Sequence, residues 1–313
     1  MRYLFIIAAF MISPAFAQTI AITGGTVHTG TGAPIENGTV LIENGKIVAV
    51  GMGIRIEEDA RIINASGKHV TPGIISSSST YGLSEGAGGK YGSDTSGNDS
   101  GMTASFDVKY ALNSASVVIQ EGRRQGVTRA VSSPTSSGDI FSGSSALITM
   151  DNKTDMNFAE GPMHAKFGNA SNRAVAWNRI RAIFDQTLDY DRNKSRAMRG
   201  QSQHYLLSFA DMDALVPVLN GDKKLVLEMG SEAEIREAIQ LKADYGLDLI
   251  IQGAQEAWKV ASELVAADIP VIIHPQDNLL GNVTMAGTTF SNAARIEAAG
   301  VKFSIMSGNG SLY

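Results

Sequence analysis

The sequence predicts an α/β fold: a parallel sheet with helices between its strands, preceded by a small β module. Three observations carry this. Apolar runs suited to strands begin at Leu225, Leu247 and Ile269, and so recur every 22 residues. Helical patterns separate them, and a βα unit repeated at that period builds parallel strands with right-handed crossovers. Residues 19–66, by contrast, read as short strands joined by turns.

In chain order, the first 17 residues form a separate object. Arg2 supplies a positive start, Leu4 to Ile12 an apolar run, Ser13-Pro14 a break, and Ala15-Phe16-Ala17 an A-x-A cleavage pattern. The run is too short to span a membrane. The expectation is a signal peptide cut after Ala17, no membrane span afterwards, and a periplasmic protein if the source is Gram-negative. The β module then occupies 18–68. Thr19–Thr23 alternates, and Gly38–Glu43 and Lys46–Val50 flank Asn44-Gly45. Both residues of that dipeptide tolerate the positive φ of a two-residue hairpin. Arg61–Asn64 adds another strand.

The second domain is placed at 69–313. Lys68–Ile75 is a strand candidate interrupted by Pro72-Gly73, and residues 76–104, dense in Ser, Gly, Thr and Asp, predict a long polar loop. A helix is expected over 114–125, and strands over 127–132 and 146–150. The C-terminal part is clearest: strands at 225–229, 247–251, 269–273 and 301–306 alternate with helices at 232–243, 256–267 and 292–299. Ala257, Val260, Ala261, Leu264 and Val265 share one helical face. A (β/α)8 barrel and an open doubly wound sheet both fit. No G-x-G-x-x-G follows a first strand, which disfavours dinucleotide binding.

Composition is that of a globular chain, 43% hydrophobic and 18% charged. A net charge of −5 gives no electrostatic reason to expect nucleic acid. The absence of cysteine excludes thiolate nucleophiles and cysteine zinc sites. There is no G-x-S-x-G elbow, Walker loop or H-E-x-x-H.

The stretches Ile22–Gly32, Ile35–Gly51 and Val70-Thr-Pro-Gly-Ile-Ile75 resemble the opening of an amidohydrolase, closest to the imidazolonepropionase-like and dihydroorotase-like groups. Ile140–Ile148 and Gly253–Leu264 extend the similarity over the mature chain. The resemblance implies a (β/α)8 barrel of the TIM type, hydrolysis of carbon–nitrogen bonds, and zinc or another divalent metal held at strand ends. The chain stops at Tyr313, earlier than the family pattern leads one to expect.

The resemblance also implies which positions should hold the metal, and the residue types there do not suit one. The family's Asp-x-His-x-His aligns with Ser76–Thr80, so Ser78 and Thr80 stand at the two histidine positions. Hydroxyls are poor zinc ligands. The strand-5 histidine would fall near Leu227 or Met229, where only Glu228 is charged. Gln252 stands at the strand-6 histidine, and Gly308 or Asn309 at the strand-8 aspartate. Lys166 occupies the place of a metal-bridging lysine, with His164 two residues before it. Ser78, Thr80 and Gln252 are therefore candidate substrate contacts, and no metal or other cofactor is predicted.

His274, at the C-terminal end of a strand, is the best candidate for a retained catalytic group, with Asp277 just beyond it. Lys166 and Glu228 complete the candidate set. His28 and His69 belong to or flank the β module and are expected to be structural or exposed; His204 is expected to be exposed. Trp177 and Trp258 read as packing residues on helices.

Three readings follow: an exported hydrolase with a rebuilt site; a silent barrel that binds a small molecule or partners a complete amidohydrolase subunit; or a truncated remnant.

Overall fold

The computed structural model describes residues 19–85, 92–97, 100–135, 140–151, 158–167, 172–201, 204–278 and 285–306. The expected signal peptide and Gly308-Asn309 lie outside them. The described chain falls into two compact units that meet in sequence at Gly73 and Ile74.

The first unit is a five-stranded sheet. Strands β1 (Ile20–Val27), β2 (Ile35–Glu43), β3 (Lys46–Gly51) and β4 (Arg61–Asn64) lie in the order β3-β2-β1-β4, and β5 (His69–Val70) also pairs with β1. β1, β2 and β3 are antiparallel neighbours, whereas β4 and β5 run parallel to β1. Asn44 and Gly45 both take positive φ, 52° and 73°, as the hairpin between β2 and β3 requires. Because β5 pairs with β1, the β module continues past residue 68, and the expected boundary moves to Gly73. Ile47, Val48 and Met52 on β3 and its end, and Ile62 on β4, are exposed.

The second unit is built on one eight-stranded sheet whose spatial order follows the chain: β6 (Ile74–Ser79), β7 (Val127–Ser132), β8 (Phe141–Thr149), β9 (Phe158–Lys166), β10 (Leu225–Met229), β11 (Leu249–Gly253), β12 (Val271–Ile273) and β13 (Phe303–Ile305). It forms a nearly closed barrel, so of the two architectures left open by periodicity, the barrel is the one adopted. The serines expected in a loop, Ser76–Ser79, are instead the last four of the six residues of β6. Ser79 is held there by its own hydroxyl, 3.0 Å from the Val131 carbonyl, and by the Ser133 N–H on its carbonyl at 2.7 Å.

One strand departs from the parallel pattern. β8 runs antiparallel to both β7 and β9, while the other ladders are parallel. The connections 133–140 and 150–157 are shorter than the dozen or so residues that a parallel crossover needs. β8 also bends: its register shifts at Gly143, whose φ of 110° and 2.3 Å clearance between an added Cβ and the Phe106 carbonyl admit only glycine.

Helices α1 (Val117–Arg124), α2 (Arg173–Ala197), α3 (Phe209–Leu219), α4 (Glu232–Tyr245), α5 (Ala261–Ala266) and α6 (Asn292–Ala298) complete the unit. α2, unassigned from sequence, is the longest; its Ala176, Trp177, Ile180, Ile183, Phe184 and Thr187 form a buried stripe at helical spacing. The helix expected over 256–267 is shorter, a 3₁₀ turn at Ala257–Lys259 followed by α5. α4 begins in a capping box formed by Ser231 and Glu234.

Strand alternation then sorts the barrel's side chains. Met163, Ala165, Leu225, Leu227, Met229, Leu249, Ile251, Val271 and Ile273 join α2–α6 residues such as Ile180, Phe184, Leu215, Ile235, Leu264 and Ile296 in one buried core. They face the helices. The alternate residues, His164, Lys166, Val226, Glu228, Ile250, Gln252 and Ile272, face the other way, into the barrel. No described helix is long and apolar enough to cross a membrane.

Candidate functional site

The inward-facing residues create a row at the C-terminal ends of the strands. Lys166 on β9 is in register with Glu228 on β10, and Glu228 with Gln252 on β11. Parallel pairing puts side chains in register on the same face, so three polar groups from residues far apart in sequence become neighbours. The Lys166 ammonium donates to Glu228 Oε1. Both side chains remain about two-fifths exposed, 44% and 40%, so the row opens to solvent. A pair this exposed contributes only about 0–1 kcal/mol to stability. Its residue types are therefore not accounted for by folding energy.

Gln252 is partly buried, and its Oε1 is buried without a hydrogen-bond partner among the described residues. One layer below Lys166 lies His164, in register with Val226. It is 7% exposed. Burial drives its imidazole down to about 4, so the ring is neutral near pH 7, and its Nε2 also lacks a described partner.

His274 directly follows β12 and is 9% exposed. Its Nδ1 lies 2.8 Å from Asp277 Oδ1, across a turn closed by the Asp277 N–H on the His274 carbonyl at 3.0 Å. The approach has ion-pair distance without the alignment that a ring N–H needs, so the two ring nitrogens still count as unpartnered. Asp277 itself is 54% exposed.

Ser78 and Thr80 lie at the C-terminal end of β6. Ser78 Oγ donates to Ser133 Oγ at a long 3.4 Å, and the Thr80 carbonyl accepts the Leu83 N–H in a turn. No hydrogen bond given by the described residues joins either to the Lys166 row. Ser77 Oγ is buried and unpartnered. His204 is exposed.

Nothing in this row fits a divalent metal. Among the described residues no three His, Asp or Glu side chains gather closely enough to hold one. Lys166 is an ammonium already paired with a carboxylate, Gln252 offers a neutral amide, and neither serves as a strong ligand.

Sequence reasoning missed the residues that brace the rim. Glu256, buried at 4% exposure, accepts from the Glu232 N–H at 2.9 Å, the Gly287 N–H at 2.6 Å and the Lys259 ammonium at 2.9 Å. Burial pushes its carboxyl up, but these donors outweigh that and hold it below the ordinary carboxylate value. Asn292, fully buried, donates to the Ala254 carbonyl and to Asn278 Oδ1, and accepts from the Trp258 N–H. Glu256 is the one acid in Ala254–Val260, three residues before Lys259, and that was the available signal for it. Trp258 packs there in the 3₁₀ turn, its indole N–H on the Gly287 carbonyl and the Arg295 guanidinium over its ring. Trp177 is buried on α2.

No protein-family model matches the sequence, and no curated protein is significantly similar to it. Solved structures are. An amidohydrolase from Thermotoga maritima MSB8 superposes with a TM-score of 0.78 at 23% identity, over 92% of this chain and 78% of that one. An L-hydantoinase from Arthrobacter aurescens covers 93% of this chain and 69% of its own at 12% identity, with a TM-score of 0.47. A triazine hydrolase from Arthrobacter aurescens gives 0.48 at 13% identity, over 94% of this chain and 72% of its own. The last two are too remote to carry weight. The first shows that this chain shares the fold of that amidohydrolase.

Proposed function

We propose that this amidohydrolase-fold chain is a metal-independent barrel that takes a small polar molecule at the Lys166–Glu228–Gln252 row. The observation that carries this is the pairing of Lys166 with Glu228 in register at the open end of the strands. Adjacent donor and acceptor suit a ligand that presents an acceptor beside a donor, as an amide does. The unpartnered Gln252 Oε1 supplies a second acceptor. The fold makes carbon–nitrogen compounds the first class to screen, by analogy only.

Isothermal titration with a panel of linear and cyclic amides, before and after exhaustive chelation, tests the proposal. Saturable binding that survives chelation and is lost in Lys166→Met supports it. Binding only in the presence of added metal overturns it.

A second reading is hydrolysis without metal, favoured by the 2.8 Å approach of His274 Nδ1 to Asp277. In it His274 takes the proton of an attacking water and Asp277 orients and stabilises the charged ring. Amide turnover in chelator that falls at least about 100-fold in His274→Gln would establish it; no turnover across the panel would leave binding alone.

The proposal includes export. N-terminal sequencing of envelope protein should begin at Gln18, and an intact Met1 would refute it. Co-purification from the same fraction tests pairing with a complete amidohydrolase subunit.

A further inference from the structure

The β module holds a histidine pair that the barrel reading leaves unused. His69 on β5 is in register with Thr26 on β1, and His28 lies two residues beyond Thr26, just past the end of β1. The strands beneath are fixed by the Thr26 N–H on the Lys68 carbonyl at 2.9 Å and the His28 N–H on the Val70 carbonyl at 2.8 Å. On that ladder His28 Nε2 and His69 Nδ1 lie 2.9 Å apart, with ring centroids at 5.1 Å. His69 is exposed and His28 partly so. Glu36, whose Oε2 accepts from Thr26 Oγ1 at 2.7 Å, places a carboxylate on the same face.

We propose that His28 and His69 form a two-imidazole site for a divalent transition ion, copper(II) ahead of nickel(II) and zinc. Two imidazole nitrogens bonded at about 2.0 Å to one ion sit about 2.8 Å apart when the bonds are at right angles, and about 3.3 Å apart when they are tetrahedral. The 2.9 Å separation is that of a shared hydrogen bond, and it leaves the two nitrogens within a few tenths of an ångström of either span. The rings now face each other through a shared hydrogen bond, so an ion enters as both turn toward a common point. Their exposure and the soft terminal torsion of histidine make that turn inexpensive. Water fills the remaining positions, so the site is a surface chelate rather than a closed structural centre. The Irving–Williams order places copper(II) highest for such nitrogen donors. Bound there, the ion clamps β5, the last strand of the module, to β1.

The test is titration of the tag-free mature chain with Cu²⁺, Ni²⁺ and Zn²⁺ near pH 7.5 by calorimetry, with electron paramagnetic resonance of the copper form. The expected result is one copper per chain in a spectrum split by two nitrogens, with affinity in the order copper, nickel, zinc. His28→Asn and His69→Gln should each weaken copper binding by about tenfold or more, because one of two chelating ligands is lost. His204→Asn, at an exposed histidine elsewhere, should leave it unchanged. Melting of each variant without metal should match the parent, which separates lost ligation from lost folding. Equal copper affinity in parent and both variants, or zinc bound as tightly as copper, overturns the proposal.

Discussion

Replacing Glu256 should damage the barrel out of proportion to the size of the change. The carboxylate satisfies the first backbone N–H of α4, the N–H of Gly287 and the Lys259 ammonium, all from a position only 4% exposed. Each charge-assisted bond contributes about 1.5–3 kcal/mol net, and each backbone N–H left unpaired costs about 1–3 kcal/mol. Water reaches the rim and recovers part of this, so Glu256→Ala should lose about 3–4 kcal/mol. Glu256→Gln keeps one acceptor oxygen and should lose about 2 kcal/mol. The carboxyl is held below its ordinary value, so its contribution is complete above the unfolded carboxylate pKa and disappears as pH falls through the folded one. The parent-to-Gln difference should therefore shrink in acid. Both tryptophans, Trp177 and Trp258, lie in the barrel unit, so intrinsic fluorescence during urea unfolding reports that unit alone. A loss under about 1 kcal/mol in Glu256→Ala would refute the claim that this side chain braces the rim.

Lys166→Met should abolish ligand binding while changing stability by less than about 1 kcal/mol, since the pair it breaks is two-fifths exposed; parallel calorimetry and melting check both halves. His164 is neutral when folded, with its pKa lowered to about 4 by burial, so the unfolded chain binds the extra proton between that value and about 6.5. Stability should fall by about 3 kcal/mol as pH drops through that window, and His164→Gln should remove that part of the slope in urea titrations at stepped pH. Asp211, where burial raises the carboxyl but bonds from Ser208, Ser105 and Thr103 outweigh it, should add an acid loss below the ordinary carboxylate value, absent in Asp211→Asn. Gly143→Ala forces a Cβ to 2.3 Å from the Phe106 carbonyl at a φ of 110°, and should cost about 2–4 kcal/mol or prevent soluble expression; a parent-like melting curve would contradict this.

Much of the fold was legible because it is written in local patterns. Asn44-Gly45 specified its hairpin through the φ its two residues tolerate. The βα repeat from Leu225 onward showed both period and face. α2 was legible in principle, but charged residues on its other faces obscured the stripe from Ala176 to Thr187. Ser76–Ser79 misled because composition suggests a loop, whereas neighbouring strands supply the partners that make it a strand. The candidate site divides the same way: Lys166, Glu228, Gln252 and His274 could be named one at a time, but not joined.

By itself the sequence determined which chemical groups the barrel can present: hydroxyls at Ser78 and Thr80, an amide at Gln252, one ammonium and one carboxylate at Lys166 and Glu228. Tertiary structure decided which of them meet. Strand register brings Lys166 beside Glu228 across 62 residues of chain, short connections reverse β8, and packing closes around His164 until its ring cannot hold a proton near neutral pH. These are consequences of long-range pairing and desolvation, and neither has a signature within a few residues of the group it controls.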